Sequence, residues 1–264
     1  MKKNFQQHVV KLFTAVLIIF GMTTFVHAQQ DEEPAQSAGA ASDPTASINF
    51  QDLRFRYLDL GGGKARRWYS TEGGYMLTPK LKVVNELHYW DTDVSGRNES
   101  SLESLHIKAI YLNPGPSIGN VRSRFVVGLE WVKELGDASE GTSFGSDLIS
   151  PFTGFGWQLS PNTTLITLVQ YFASYEEEPG VQEVSQTGPR IIYIHSIPSR
   201  NMWIRLDDKF VIDHKADNAT SNTFEVQLGK MLSPNLGVYV DALYQTGGFD
   251  QYDWGFGLGM RYMY

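Results

Sequence analysis

The side chains of His88, Ser104 and His106 are of types that could do chemistry together. Ser104 and His106 lie two residues apart, so they share one face of an extended strand. A serine beside a histidine is the pairing of a hydrolase, in which the imidazole takes the hydroxyl proton. Two histidines across a strand pair, with Glu86 nearby, could instead hold a metal ion. Paired polar side chains give the same pattern, so the sequence assigns no catalytic residue and leaves His88 and His106 as metal candidates.

Composition limits the remaining chemistry. The chain has no cysteine, which excludes disulfides, thiolate nucleophiles and cysteine-based zinc sites. Of the 22 basic residues, Lys2, Lys3 and Lys11 precede Ala28, so 19 basic and 29 acidic residues follow it, a net charge of −10. General nucleic-acid binding needs a basic surface and is excluded on this ground. The sequence calls for no cofactor.

Residues 1–28 have the layout of a secretory signal peptide, in which a basic start precedes the apolar run "LFTAVLIIFGMTTFV". Val26-His27-Ala28 supplies the small-x-small cleavage site. The apolar run is shorter than the ~20 residues of a membrane-spanning helix. Residues 29–47 contain no aromatic residue and little that could be buried, which predicts a disordered tether.

From Ile48 onward, apolar and polar residues alternate with the period of two that is typical of β-strands. The candidate strands are long enough for the ~9–11 residues of a strand that crosses a membrane. About twelve strands are predicted, over residues 48–59, 67–77, 81–92, 101–112, 121–133, 147–159, 163–175, 186–196, 201–213, 222–232, 236–246 and 252–264.

The connections between these strands alternate between two kinds. Short turns with Pro or Asn, such as "TPK" and "SPN", alternate with polar and mostly longer loops, such as "TDVSGRNES" and "ELGDASEGTSFGSD". A soluble β-sandwich, the alternative fold, has no reason to alternate in this way. Short turns at one end and longer loops at the other are typical of outer-membrane barrels. Both termini then lie at the short-turn end.

Aromatic residues at the ends of the apolar faces favour the same fold, because such belts mark the two membrane interfaces. Asp208, in the apolar face of its strand, departs from this pattern. The aromatic set comprises Tyr69, Tyr89, Trp131, Tyr244 and Trp254 near the longer loops, and Tyr75, Tyr111, Trp157, Tyr193, Tyr262 and Tyr264 near the short turns.

The chain resembles Gram-negative outer-membrane β-barrel proteins. The ending "GLGMRYMY" matches their C-terminal assembly signal at Gly257 or Gly259, Tyr262 and Tyr264. The resemblance implies a transmembrane, antiparallel, up-and-down barrel over residues 48–264, with periplasmic termini and tether. It also implies contacts with outer-membrane lipid, lipopolysaccharide and the barrel-assembly machinery. The run "QLGKMLSPNLGVYVDALYQTGG" is similar to transporters of the phenol-degradation (MetA-pathway) type.

The faces opposite the apolar ones are predicted to line the barrel lumen. Basic residues outnumber acidic ones there, although the mature chain is acidic. The predicted basic residues are Arg54, Arg56, Lys82, Lys108, Arg122, Arg124, Arg190, Arg205, Lys209 and Arg261. The predicted acidic residues are Asp52, Glu72, Glu86, Glu130, Asp207, Glu225 and Asp241, and His88 and His106 lie on the same faces.

Three hairpins, folded about the centres of their polar loops, place charged residues of the inward faces opposite one another. Direct cross-strand pairs of opposite charge stabilise a sheet by ~0.2–1 kcal/mol each. The predicted partners are Arg54 with Glu72, Glu86 with Lys108, His88 with His106, Lys209 with Glu225, and Asp207 with Gln227.

The function predicted from these features is a narrow channel for small polar or anionic solutes. A charged wall that attracts solute would serve this function. One alternative is a structural or surface-interaction barrel whose charged side chains fill the lumen. Another is an outer-membrane lipid hydrolase or lipid-A-modifying enzyme, but Ser104 and His106 face inward rather than toward lipid, and Ser196 points away from the outward His195.

Overall fold

The computed structural model describes residues 42–248 and 251–264. The predicted signal peptide, residues 1–28, and residues 29–41 of the predicted tether lie outside the described residues. Twelve strands account for most of the described chain, and their bounds match the predicted ones closely: β1 (Phe50–Asp59), β2 (Ala65–Thr78), β3 (Leu81–Thr92), β4 (Glu99–Pro114), β5 (Arg122–Glu134), β6 (Ser146–Ser160), β7 (Thr163–Glu177), β8 (Ser185–Ile197), β9 (Met202–Asp213), β10 (Ala219–Met231), β11 (Leu236–Gly247) and β12 (Trp254–Met263).

The sheet is a closed antiparallel barrel in which each strand pairs with its neighbours in sequence. β1 and β12 close it along their full lengths, from Phe50 opposite Met263 to Asp59 opposite Trp254. The predicted fold of about twelve antiparallel strands is therefore confirmed. No helix among the described residues is long and apolar enough to cross a membrane.

The two rims of the barrel differ in the length of their connections, as the sequence predicts. One rim carries the short turns, including the single turn of 3₁₀ helix at Pro198–Arg200, and the first and last strands begin and end there. The opposite rim carries the remaining loops, of which residues 135–145 form the longest. Whether the short-turn rim is periplasmic stays a prediction.

The outer wall of the barrel is apolar. Along β12, exposed and buried residues alternate at every position, with Leu258 54% exposed on the outside and Arg261 8% exposed on the inside. Large apolar side chains are exposed around the whole circumference, far beyond what soluble monomers tolerate. Lipid is the solvent that suits such a wall. Examples on other strands are Ile107, Leu129, Ile149, Val169, Ile191, Phe210, Val226 and Val240.

The terminal aromatic residues of the predicted assembly signal lie on this outer wall. The rings of Tyr262 and Tyr264 stack with centroids 6.1 Å apart, and the Tyr264 ring lies 6.5 Å from that of Tyr75 on β2. Gly257 and Gly259 lie on the inner wall instead. The signal therefore combines an aromatic outer face with a glycine inner face.

Asp208 has a specific partner on the outer wall. Its carboxylate accepts a hydrogen bond of 2.8 Å from the side-chain amide of Asn222 on β10. Asn222 lies opposite Phe210, so the donor and acceptor sit on adjacent strands of the same face. This hydrogen bond lowers the free-energy cost of placing the Asp208 carboxylate on an apolar wall.

The predicted cross-strand partners were wrong by two residues in all three hairpins. Glu72 lies opposite Asp52, Glu86 opposite His106, and Glu225 opposite Asp207. Likewise, Arg54 lies opposite Ser70, Lys108 opposite Val84, His88 opposite Ser104, Lys209 opposite Thr223, and Gln227 opposite Arg205.

Turn geometry explains the slip. In the first and third of these hairpins the chain turns one residue earlier than the assumed loop centre, which shifts every pair by two; in the second, an earlier turn combines with the bulge beside His88 and Tyr89 to give the same shift. Positive φ angles at Gly61, Gly62 and Gly63, and at Asp217 and Asn218, fix the conformation of two of these loops. Register follows the turn rather than the charges.

The inward glycines of β12 make room for side chains from other strands. A Cβ atom at Gly257 would lie 2.8 Å from Cγ of Arg56 and 2.8 Å from the backbone oxygen of Phe55. The ring of Tyr239 lies over Gly259 in the same way. The glycines of β12 thus leave space on the inner wall, and longer side chains from other strands cross it.

We expect Gly257→Ala to destabilise the barrel by ~1–3 kcal/mol, because the added methyl group overpacks the inner wall. Urea unfolding in lipid vesicles measures the change. Gly248→Ala is the matched control, since the nearest atom to its added Cβ, that of Ala219, is 3.6 Å away. Equal stability of the two variants would contradict the packing argument.

Candidate functional site

The inner wall of the barrel carries the candidate residues, which form four groups. The arginine cluster comprises Arg56, Arg190, Arg205, Asp207, Glu225 and Asp241. The histidine cluster comprises Glu86, His88, Glu103, Ser104, His106, Lys108 and Glu130. The Asp52 group comprises Asp52, Arg54, Tyr239 and Arg261. The fourth group comprises Lys82, Arg124 and Gln227, which bond to the N-terminal segment, residues 42–49.

In the arginine cluster, guanidinium groups bridge carboxylates on three strands. Arg190 donates to both oxygens of Asp207, at 2.7 and 2.6 Å. Arg205 donates to Asp207 and, at 3.3 Å, to Glu225. Bidentate, charge-assisted pairs such as that of Arg190 with Asp207 are among the stronger hydrogen bonds in proteins. The cluster therefore fixes the side chains of β8, β9 and β10 on the inner wall.

Arg56 extends this cluster along the curve of the wall. Its Nη2 donates to Glu225 at 2.6 Å and to Asp241 at 3.2 Å. Arg56 lies on β1 and Glu225 on β10, with β12 and β11 between them. The guanidinium passes over the glycines of β12 to make this contact. Nε of Arg56 has no hydrogen-bond partner among the described residues, and the same is true of Nε of Arg205.

The histidine cluster centres on a hydroxyl group. Oγ of Ser104 lies 2.8 Å from Nε2 of His106 and 3.3 Å from Nδ1 of His88, and it donates to the carboxylate of Glu103. Nδ1 of His88 is also 3.1 Å from Oε2 of Glu103. Three ligand-type atoms from β3 and β4 thus converge on one small region.

Carboxylates hold the other nitrogen of each imidazole. Nε2 of His88 lies 3.2 Å from Oε2 of Glu86, and Nδ1 of His106 lies 2.8 Å from Oε1 of Glu130. Lys108 pairs with both of these carboxylates. Each ring is therefore oriented by an acceptor on the side away from Ser104.

The predicted pairing of Ser104 with His106 occurs, and Glu130 completes a serine–histidine–carboxylate chain. This chain has the bonding order of a hydrolase triad. However, Ser104 is 0% exposed, and its backbone lies within the β4 ladder. A nucleophile must reach its substrate, so the buried Ser104 lacks the access that a hydrolase site needs. On the outer wall, His195 bonds to Thr163 at 3.0 Å and Ser196 is buried.

Glu103 was missed by the sequence analysis, because strict alternation places it on the outer wall. A β-bulge interrupts the pairing of β3 with β4 beside His88 and Tyr89. An extra residue at a bulge re-aims side chains, and here it leaves Glu103 3% exposed beside Ser104. The carboxylate next to an inward serine is the only local signal that the sequence offers.

The Asp52 group ties β1 to the last two strands. The Tyr239 hydroxyl donates to Asp52 at 2.6 Å, and Nε of Arg261 donates to the other oxygen of Asp52 at 2.7 Å. Nε of Arg54 donates to the Tyr239 hydroxyl at 2.8 Å. These bonds join the interior across the seam where the barrel closes.

The N-terminal segment lies inside the barrel near the short-turn rim. Ser42 donates to Gln227 at 2.7 Å, and Lys82 donates to the backbone oxygen of Ala46 at 3.2 Å. Arg124 donates to the backbone oxygen of Thr45, which is 4% exposed. Residues 42–47 were predicted to belong to a disordered tether; in the structure they bridge β10 to β3 and β5.

Several predicted lumen cations have no carboxylate within 4.0 Å among the described residues. Lys209 lies over the Phe172 ring at 4.6 Å, and Arg122 is exposed at the rim. The predicted inward carboxylates other than Glu72 all form ion pairs. The unpaired cations of the predicted set are Arg54, Lys82, Arg122, Arg124 and Lys209.

Comparisons with known proteins support the fold of the barrel and concern the fold alone. No family model matches the sequence, and no curated protein matches it. Among solved structures, the barrel is similar to the KdgM porin, with a TM-score of 0.52 and 10% identity over 81% of this chain and 99% of that one. The NanC porin is similar with a TM-score of 0.53 and 12% identity, over 80% and 98%.

A second KdgM structure, in complex with disordered oligogalacturonate, has a TM-score of 0.54 and 8% identity, over 81% of this chain and 99% of that chain. At these identities the likeness establishes a shared architecture. The chain therefore has the fold of small outer-membrane porins, and the lengths of the barrels agree.

We expect Arg56→Gln to lower the free energy of unfolding by ~3–5 kcal/mol, because it leaves the buried carboxylates of Glu225 and Asp241 without their shared partner. Arg67→Gln is the control, since its pair with Asp91 is exposed and worth ~0–1 kcal/mol. Urea unfolding in vesicles, followed by tryptophan fluorescence, measures both. A cost for Arg56→Gln no larger than the control would refute the role of the cluster.

Proposed function

We propose that the protein is an outer-membrane porin that passes small anionic or polar solutes through the barrel lumen. The observation that carries this proposal is the charge balance of the inner wall. The predicted inward carboxylates other than Glu72 lie within 4.0 Å of a basic or histidine side chain, whereas Arg54, Lys82, Arg124 and Lys209 have no described carboxylate within that distance. Inside a narrow wall of low dielectric, such charges concentrate anions.

The buried donors of the arginine cluster support the same preference. Nε–H groups of Arg56 and Arg205 lack partners among the described residues, and a buried guanidinium donor without a partner is costly. Movement of these side chains toward the lumen would let a carboxylate or phosphate group of a passing solute satisfy them. The similar KdgM barrel has a structure in complex with oligogalacturonate, and we infer that solutes of the present barrel also carry negative charge.

The location and partners follow from the same proposal. We place the barrel in the bacterial outer membrane, in contact with lipid and lipopolysaccharide, after removal of residues 1–28 and insertion by the barrel-assembly machinery. The short-turn rim then faces the periplasm with both termini, and residues 29–41 form the tether. The resemblance to phenol-degradation (MetA-pathway) transporters is compatible with this function and leaves the solute to be identified.

A salt-gradient measurement in planar bilayers tests the preference for anions. We expect wild-type channels to favour chloride over potassium. Lys209→Gln should reduce this permeability ratio by up to about tenfold, since a unit charge ~6 Å away in water attracts chloride and repels potassium by ~0.7 kcal/mol each. Lys230→Gln is the control, because Lys230 lies on the outer wall. A wild-type channel that favours cations would refute the proposal, as would an equal effect of the two variants.

The N-terminal segment narrows the path at the short-turn rim, so we propose that it limits conductance. Deletion of residues 42–47 should raise the single-channel conductance, because it removes the chain that Lys82 and Arg124 hold inside the barrel. Deletion of residues 30–35 is the control of equal length and should leave conductance unchanged. The same conductance in both deletions would show that the segment does not obstruct the pore.

A further inference from the structure

We propose that the histidine cluster is a binding site for a divalent transition-metal ion, Zn²⁺, with His88, Glu103 and His106 as ligands. One ligand atom from each residue lies within 4.8 Å of the others. Two imidazoles and one carboxylate are a donor set found in zinc sites with an open fourth position. The site lies in the wall of the barrel and is independent of the solute that the channel passes.

The orientation of the imidazole rings supports a cation at this point. The ring nitrogens directed away from the cluster centre bind the carboxylates of Glu86 and Glu130, at 3.2 and 2.8 Å. The contact with Glu130 places the proton of His106 on Nδ1 and leaves its Nε2 available to a metal ion, whereas Nδ1 of His88, 3.1 Å from Glu103, would release its proton when the ion binds. Histidine ligands of zinc are held in this way by a second set of acceptors.

The hydroxyl of Ser104 lies between the three proposed ligand groups. Its oxygen touches all three ligand groups, yet a hydroxyl has a single proton and can donate to only one of them. A cation beside this hydroxyl, with the Ser104 side chain turned aside, would bind both imidazoles and Glu103 at once. The ligands need to approach one another slightly, because zinc–nitrogen bonds are ~2.0–2.1 Å long.

Burial and rigidity also suit a bound ion. His88 and Glu103 have side chains 9% and 4% exposed, whereas His106 is 18% exposed and gives access from the lumen. All three residues lie on the paired strands β3 and β4, beside the bulge that brings Glu103 inward. The bulge thus has a function in this proposal: it supplies the acidic ligand.

Calorimetric titration of ZnCl₂ into metal-stripped, tag-free protein in detergent tests the site. We expect saturable binding of one ion per chain, lost in His88→Ala and in Glu103→Gln. Glu130→Gln alters a positioning residue and should weaken binding about 10- to 100-fold without abolishing it. His195→Ala, which removes an outer-wall histidine, should bind like the wild type.

A second measurement does not depend on the folding of the variants. Wild-type protein titrated with Co²⁺ should develop the intense visible absorption of a four-coordinate site with nitrogen ligands, and Mg²⁺ should not compete, since imidazole favours transition metals. Weak, featureless Co²⁺ spectra or the absence of saturable Zn²⁺ binding would overturn the proposal. Zinc binding that survives in His88→Ala would overturn it as well.

Discussion

The closed hydrogen-bond ladder is the constraint on which the structure depends. In a membrane, each backbone amide and carbonyl must bond within the protein, and a sheet achieves this only when its first and last strands pair. Here β1 pairs with β12 from Phe50 to Asp59. Closure divides the side chains into an outer set that meets lipid and an inner set that meets the lumen, because neighbours along a strand point to opposite faces.

The inner side chains are subject to a second constraint, which concerns their charges. Charged groups in a narrow space must be paired or hydrated, and the arginine cluster pairs its carboxylates across several strands. The Arg56 side chain reaches Glu225 by crossing β12. Only residues without a side chain leave room for it there, and the glycines of β12 provide that room. The closing strand is thus shaped by lipid on one face and by crossing side chains on the other.

The candidate site was predictable in part. Alternation placed Arg56, Glu225 and Asp241 among the inward residues, and the structure brings them into contact. Their partners were not predictable, because the arginine cluster joins strands that are distant in sequence. Glu103 was missed since a bulge changes the parity of a strand without changing its composition. The unpaired cations likewise appear only when all neighbours are known.

The strands, their number, their inner and outer faces and the two kinds of rim were predictable from the sequence, because these depend on local alternation and turn residues. The tertiary structure alone decided the register, since one residue at a turn such as Gly62 shifts every pair by two. It also decided that residues 42–47 lie inside the barrel. Their polar composition suits a tether, yet Gln227, Lys82 and Arg124 supply bonding partners that only the closed wall brings together.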